Sequence, residues 1–249
     1  MPPLEKPFDT DSKLIDLVPH DKITCGTAGV YETIVKRRSR RNFKDQPLTL
    51  EEFSYLLLST QGIKNPKRPF FRTSPSGGAR HGIETYIYVE KVDALNPGLY
   101  RYLPVEHKLL YIGEKPKAQL TAALAGQDFN PAATFIWTVV PYRISWRYKG
   151  AEEKLALLDV GHVCQNLYTA CEALHLVSVF LQPVLPERMS ELWCRLGWRP
   201  PPAPAEWRPS PGFREEQNAH FRDALSWGGL QPGTGVVLGP PLFPREVGS

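Results

Sequence analysis

Residues 154–176, KLALLDVGHVCQNLYTACEALHL, place Leu157, Val160, Cys164, Leu167, Cys171 and Leu174 at intervals of three and four, the spacing that lines one face of a helix with apolar side chains. This is the strongest helical pattern in the chain. Gly161 in its middle costs about 1 kcal/mol against alanine, so the glycine predicts close packing of another element there. Upstream, FIWTVV (135–140) reads as a continuous apolar strand suited to burial on both faces. KAQLTAALAG (117–126) reads as a surface helix, and KLLYI (108–112), LYRYL (99–103) and TYIYV (85–89) read as strands, the first two paired. PLTLEEFSYLLLSTQG (47–62) carries Thr49 and Glu52 at capping-box spacing before Leu50, Phe53, Leu56 and Leu57, with Gly62 as its stop. A shorter helix is predicted over Tyr31–Arg38. Downstream, VSVFL (177–181) reads as a strand and PERMSEL (186–192) opens a helix with proline in its first turn. Helices and strands intermix over 28–192, which predicts one α+β domain.

The flanks differ in composition. Residues 1–27 read as an irregular N-terminal arm. Residues 193–249 hold ten of the 25 prolines and four of the six tryptophans, yet no isoleucine, lysine or tyrosine. This segment reads as an atypical extension, either foreign to the domain or the product of a shifted reading frame. The chain of 249 residues is 42% hydrophobic and carries a net charge of +4, too small for a field directed at nucleic acid or a membrane surface. No apolar run approaches the roughly 20 residues of a membrane span. Cys25, Cys164, Cys171 and Cys194 form no C-x-x-C pair, so a reducing cytoplasm is the expected setting. None of the six histidines stands at metal-ligand spacing, and no metal is expected. Phosphate-loop, dinucleotide and nucleophile-elbow motifs are also missing.

Three segments could carry chemistry. Lys36, Arg37, Arg38, Ser39, Arg40 and Arg41 set five cations and a hydroxyl at the end of a predicted helix, where cations complement the helix dipole. Guanidinium forks suit a phosphate, although a solvated face or a basic localisation run fits the same residues. Pro75, Ser76, Gly77, Gly78 and Ala79 form a loop of small residues before a strand, which lets backbone approach a flat ligand or simply makes a turn. Arg147 and Tyr148 precede the long helix. Tyr148 suits a proton donor and Arg147 an anion-holding role, and a packed aromatic is the plainer reading of Tyr148.

Taken in order, RRSRRNF, PLTLEEFSYLLLSTQGI, RTSPSGGARHGIETYIYV, PGLYRY and LLDVGHVCQNLYTACEALHL resemble the nitroreductase superfamily. More narrowly, they resemble the SagB-type dehydrogenases, which include azoline oxidases. The resemblance implies a nitroreductase-like α/β sandwich with a central, mostly antiparallel sheet, an intertwined homodimer and one FMN at each subunit interface. It assigns Arg37, Arg38, Ser39 and Arg41 to the FMN phosphate and the polar ring edge. It also assigns Pro75, Ser76, Gly77, Gly78 and Ala79 to the isoalloxazine face from the other subunit, and Gln182 to the turn near the flavin N5. Arg147 and Tyr148 stand where azoline oxidases of this type often carry Lys-Tyr. The glycines usual in the family after the long helix are replaced here by residues such as His175, Val177 and Gln182. The implied activity is hydride transfer between FMN and a small organic substrate or peptide azoline, with NAD(P)H as a candidate donor. A degenerate, non-catalytic binding or scaffold subunit is the alternative.

Overall fold

The computed structural model describes residues 2–124 and 129–176. Its organising element is a five-stranded sheet built from β1 (Leu14–Asp16), β2 (Ile83–Val89), β3 (Gly98–Leu103), β4 (Lys108–Gly113) and β5 (Ala133–Val139), in the order β1-β4-β3-β2-β5. Every pairing is antiparallel. β2 runs through the interior, paired with β3 at Ile87↔Tyr100 and with β5 at Ile87↔Phe135. Alternation along β2 and β3 therefore builds two cores. Ile87, Val89, Tyr100 and Tyr102 face Phe53 and Leu57 on one side, whereas Tyr86, Tyr88, Leu99 and Ile136 meet Leu120 on the other.

The helices are α1 (Val30–Lys36), α2 (Leu50–Gln61), α3 (Lys117–Ala123), α4 (Pro141–Ser145) and α5 (Glu152–Ala173). α2 covers the first face of the sheet and α3 the second. The capping box on α2 forms as its spacing predicts: Glu52 N donates to Thr49 Oγ1 at 3.1 Å, and Thr49 N donates to Glu52 Oε2 at 2.9 Å. Gly62 caps the other end, its N–H donating to Leu58 O at 2.8 Å. α5 packs along α2 through Leu56, Ala170 and Cys171. The α+β sandwich with an antiparallel sheet is thus the observed architecture.

Three expectations are corrected. The arm is not irregular throughout, because Leu14–Asp16 pair with Lys108–Leu110 and add an edge strand. Among the described residues β5 pairs only with β2 and ends the sheet, with most of its residues only partly buried. The apolar run predicts burial on both faces along its whole length; Phe135 and Ile136 do pack on opposite faces, but only Ile136 and Thr138 are buried. Finally, Leu157 and Leu158 on α5 are 58% and 52% exposed, and among the described residues nothing beyond the helix's own neighbouring backbone lies within 4 Å of where a Gly161 side chain would begin. Helical periodicity identified α5 and most of the stripe that faces the domain, since Cys164 and Cys171 are buried and Leu167 and Leu174 pack against the Leu56 cluster, but it wrongly included Leu157. The predicted strand at 177–181, the helix at 186–192, Gln182 and the extension at 193–249 lie outside the described residues. Among the described residues, no helix is long and apolar enough to cross a membrane.

Candidate functional site

The small-residue loop is built tightly. Ser76 Oγ donates to Asp159 Oδ2 at 2.6 Å, Gly77 N donates to Asp159 Oδ1 at 3.1 Å, and His81 N donates to Ser76 Oγ at 2.8 Å. One buried carboxylate on α5 therefore takes both donors at the loop's turn. Gly78, Ala79 and His81 all adopt left-handed backbone, with φ of 59°, 53° and 45°, a conformation that costs non-glycine residues about 1–3 kcal/mol each. The Asp159 clamp holds them there. Gly78 also has no room for a side chain, since a Cβ would lie 2.5 Å from the Tyr148 hydroxyl. The loop and Tyr148, picked out separately in the sequence, thus meet at Gly78. Arg147 lies exposed, 5.7 Å from the Tyr148 ring. Arg80 Nε donates to Gly78 O at 2.9 Å, and its guanidinium lies 5.2 Å from the centre of the Trp146 ring.

The loop's exit is anchored by buried polar groups. His81 is 5% exposed, with Nε2 2.7 Å from Phe70 O. Burial, assisted by the Arg72 charge, lowers its pKa to about 4. A neutral ring therefore donates its Nε2 proton to that carbonyl. Arg143 pairs with Glu84 at 2.5 Å, both groups buried, and donates to His81 O at 3.2 Å. These contacts tie α4, β2 and the loop together.

The basic segment sits at the other end of α5. Arg37 caps α1 with its backbone and lies 5.5 Å from the Tyr168 ring, and the Ser39 hydroxyl hydrogen-bonds that phenol. Burial pushes Tyr168 up to about 12, so the phenol stays protonated. Arg40, not among the residues assigned to the phosphate, places its fork on Glu172 at 2.5 and 3.3 Å and donates to Lys36 O at 3.1 Å. Arg38 and Arg41 are exposed and make no hydrogen bond or ion pair among the described residues. The run thus divides into a structural arginine, two groups seated on Tyr168, and two open guanidiniums. Asp159, Tyr168 and Glu172 were missed in the sequence reading. Their signal was polar residues interrupting the apolar pattern of LLDVGHVCQNLYTACE.

The two halves do not converge within one chain. Asp159 and Tyr168 stand about 14 Å apart along α5, and Asp159 and Glu172 about 20 Å, at 1.5 Å per residue. Open guanidiniums at Arg38 and Arg41 fit the phosphate of FMN, whereas the space beside Gly78 is taken by Tyr148 and that beside Gly77 by Leu155. No cluster of metal-ligating side chains occurs among the described residues.

A helix-flanked antiparallel sheet of this order defines an α+β sandwich. The family model described as the nitroreductase family matches residues 34–196. A protein named as a nitroreductase in Methanocaldococcus jannaschii is 32% identical over 151 residues, covering 59% of this chain and 75% of that protein. The crystal structure of a Ralstonia eutropha protein, likewise named as a nitroreductase, superposes with a TM-score of 0.61 at 23% identity, over 77% of this chain and 85% of that one. The Escherichia coli microcin synthetase McbBCD complex, solved with truncated pro-MccB17 bound, contains a chain with TM-score 0.52 and 18% identity, over 67% of this chain and 66% of that one. The chain belongs to the nitroreductase family, an oxidoreductase family whose members generally bind FMN and are commonly dimeric.

Proposed function

We propose that the protein is a cytoplasmic, FMN-dependent oxidoreductase of the SagB type. It would move hydride between FMN and a small organic or peptide azoline substrate, with NAD(P)H as a candidate donor. The observation that carries this reading is the loop clamped by Asp159 at one end of α5, with the basic segment at the other. When bound, FMN supplies a hydride acceptor and donor at its N5. The chain supplies the rest. Gly77–Ala79 offer backbone without bulk to the flat ring, and Arg38 and Arg41 offer open forks to the phosphate. Arg37 and Ser39 border that site beside Tyr168. The Tyr148 phenol, fixed against Gly78, holds a transferable proton beside the loop. Arg147, whose fork suits an anionic group, orients the substrate and does not act as a base. The peptide reading draws support from the fold shared with the microcin synthetase complex.

Two copies would complete each site. Leu157 and Leu158 are exposed, Gly161 is open near the midpoint of α5, and Val30, Tyr31, Ile34 and Val35 of α1 are 61–82% exposed. Solvent contact at so many apolar groups is unfavourable, and covering them is the usual role of a partner. An antiparallel crossing of two α5 helices at Gly161 would set one copy's loop, seated at Leu155 and Asp159, beside Tyr168 and Arg37 of the second copy. The test is the visible spectrum of the purified protein together with its mass in solution. A dimer with FMN bands that bleach on anaerobic addition of NADPH is expected. A colourless protein that gains no flavin signal on adding FMN overturns the flavin reading, and a monomer that retains flavin overturns the shared site.

A further inference from the structure

The small-residue loop is flanked by two exposed segments, and His81 at its exit holds both. Its Nε2 lies 2.7 Å from Phe70 O, and its own carbonyl accepts from Arg143 of α4 at 3.2 Å. On one side residues 64–71 fold into a closed turn, in which Lys64 N donates to Phe71 O at 2.9 Å, Arg68 N to Asn65 O at 2.8 Å and Phe71 N to Arg68 O at 3.0 Å. On the other side α4 runs into Trp146, whose ring centre lies 5.2 Å from the Arg80 guanidinium. Phe70 and Phe71 are 39% and 50% exposed, and Tyr142 and Trp146, one helical turn apart, are 41% and 45% exposed. Aromatic groups left in water on both flanks of one loop mark an interaction surface.

The same two segments are one-sided in charge. Residues 62–83 and 140–151 contain no aspartate or glutamate. Within them Lys64, Lys67, Arg68, Arg147 and Lys149 are exposed and make no ion pair among the described residues. The first acids beyond these limits are Glu84, buried against Arg143, and Glu152 and Glu153, which complement the N-terminus of α5. A chain whose net charge is only +4 thus concentrates five open cations around one loop. Cations gathered in this way raise the local potential and attract an anionic partner.

We propose that this face holds an acidic peptide segment that also carries aromatic or leucine side chains, with Lys64, Lys67 and Arg68 taking its carboxylates and Phe70, Phe71 and Trp146 its apolar groups. The inference rests on the peptide form of the proposed function and adds where such a substrate is anchored, beside the loop and Tyr148. Charge complementarity selects the occupant, because a second copy meeting this face across a two-fold axis would set like charges against one another. Nucleic acid is the weaker match. Three of the cations stand together on one turn and the aromatic groups in two separate pairs, without the groove of successive stacking rings that takes up bases. The turn is already closed by its own backbone bonds, so binding orders little more of it.

Fluorescence anisotropy of the full chain tests the face, using a labelled peptide of glutamate and phenylalanine in a glycine and serine background and the same peptide with glutamine for each glutamate. The acidic peptide is expected to bind at least about tenfold more tightly at low salt, the sum of several weak, screened ion pairs, and to lose that advantage at high salt. Lys67→Glu with Arg68→Glu should abolish the preference while the melting temperature and FMN content stay unchanged, and Phe71→Ser should weaken both peptides. Lys13→Glu with Lys22→Glu, the same charge change around β1 at the far edge of the sheet, should leave most of the preference intact. Equal or absent binding of the two peptides overturns the inference. A single-stranded oligonucleotide that displaces the acidic peptide at lower concentration also overturns it, by making the face a nucleic-acid site. A lower mass in solution for the variant at Lys67 and Arg68 overturns it by giving the face to a second copy. A chain that takes no flavin but prefers the acidic peptide keeps the surface and loses the flavin reading, whereas a flavoprotein without the preference does the reverse.

Discussion

The two ends of α5 treat similar polar groups in opposite ways. At the N-terminal end, Ser76 and Gly77 are committed to Asp159, and the backbone is locked in left-handed conformations around Gly78. At the C-terminal end Arg40 is committed to Glu172 and Arg37 and Ser39 border Tyr168, while Arg38 and Arg41 stand open among the described residues. The first region is organised before any ligand arrives. The second keeps charge available. A flat, weakly polar ring is recognised by shape and needs a rigid surface, whereas a phosphate is recognised by charge and tolerates mobile forks.

The largest expected effect comes from breaking the rigid end. Asp159→Ala removes both acceptors from the loop, and the loss of two charge-assisted hydrogen bonds predicts about 3–5 kcal/mol less stability in denaturant unfolding. Asp159→Asn retains one acceptor and should recover part of it. An alanine variant as stable as the parent would show that the loop holds itself. The next effect is one of pH. His81 has its folded-state pKa lowered from 6.5 to about 4, so its contribution is present above pH 6.5 and is lost as pH falls through about 4. Acid should therefore cost on the order of 3 kcal/mol across that window, and His81→Gln should flatten the profile of unfolding free energy against pH.

At the open end the expected effects fall on ligand rather than fold. Arg38→Ala should weaken FMN binding by about 1.5–3 kcal/mol, the worth of a hydrogen bond to a charged group, with an unchanged melting temperature. Arg40→Ala should do the reverse, lowering the melting temperature by stranding the buried Glu172 while flavin affinity holds. Equal losses of flavin in both variants would erase the division drawn within the segment. The smallest effect is expected at Thr49→Ala. Removing the α2 cap costs about 1 kcal/mol and should leave flavin content untouched, which calibrates how far stability alone can move the flavin signal.

Much of this architecture was legible in advance. The capping box of Thr49 and Glu52, the stop at Gly62, the strands around TYIYV and LYRYL, and the long helix all follow from spacing between neighbours. The reading failed where a residue's role depended on something far away. Leu157 has the helical spacing of a core residue and stands exposed, because periodicity finds a stripe without saying what covers it. Spacing within the run of five cations gave Arg40, which was not assigned to the phosphate, no role of its own, and the fold gives it to Glu172. Asp159 passed as an interruption in an apolar pattern, and it proved to be the clamp of the loop.

The sequence by itself therefore determined the elements, their ends and the residue types suited to a flavin, since capping, alternation and side-chain bulk act over a few residues. Only the tertiary structure decided which acid holds the loop, which arginine is structural, and that Gly78 meets Tyr148. It also decided that the loop and the basic segment stand at opposite ends of one helix. Those outcomes depend on contacts between segments distant in the chain, whose pairing is set by packing of the whole domain and leaves no local periodic trace.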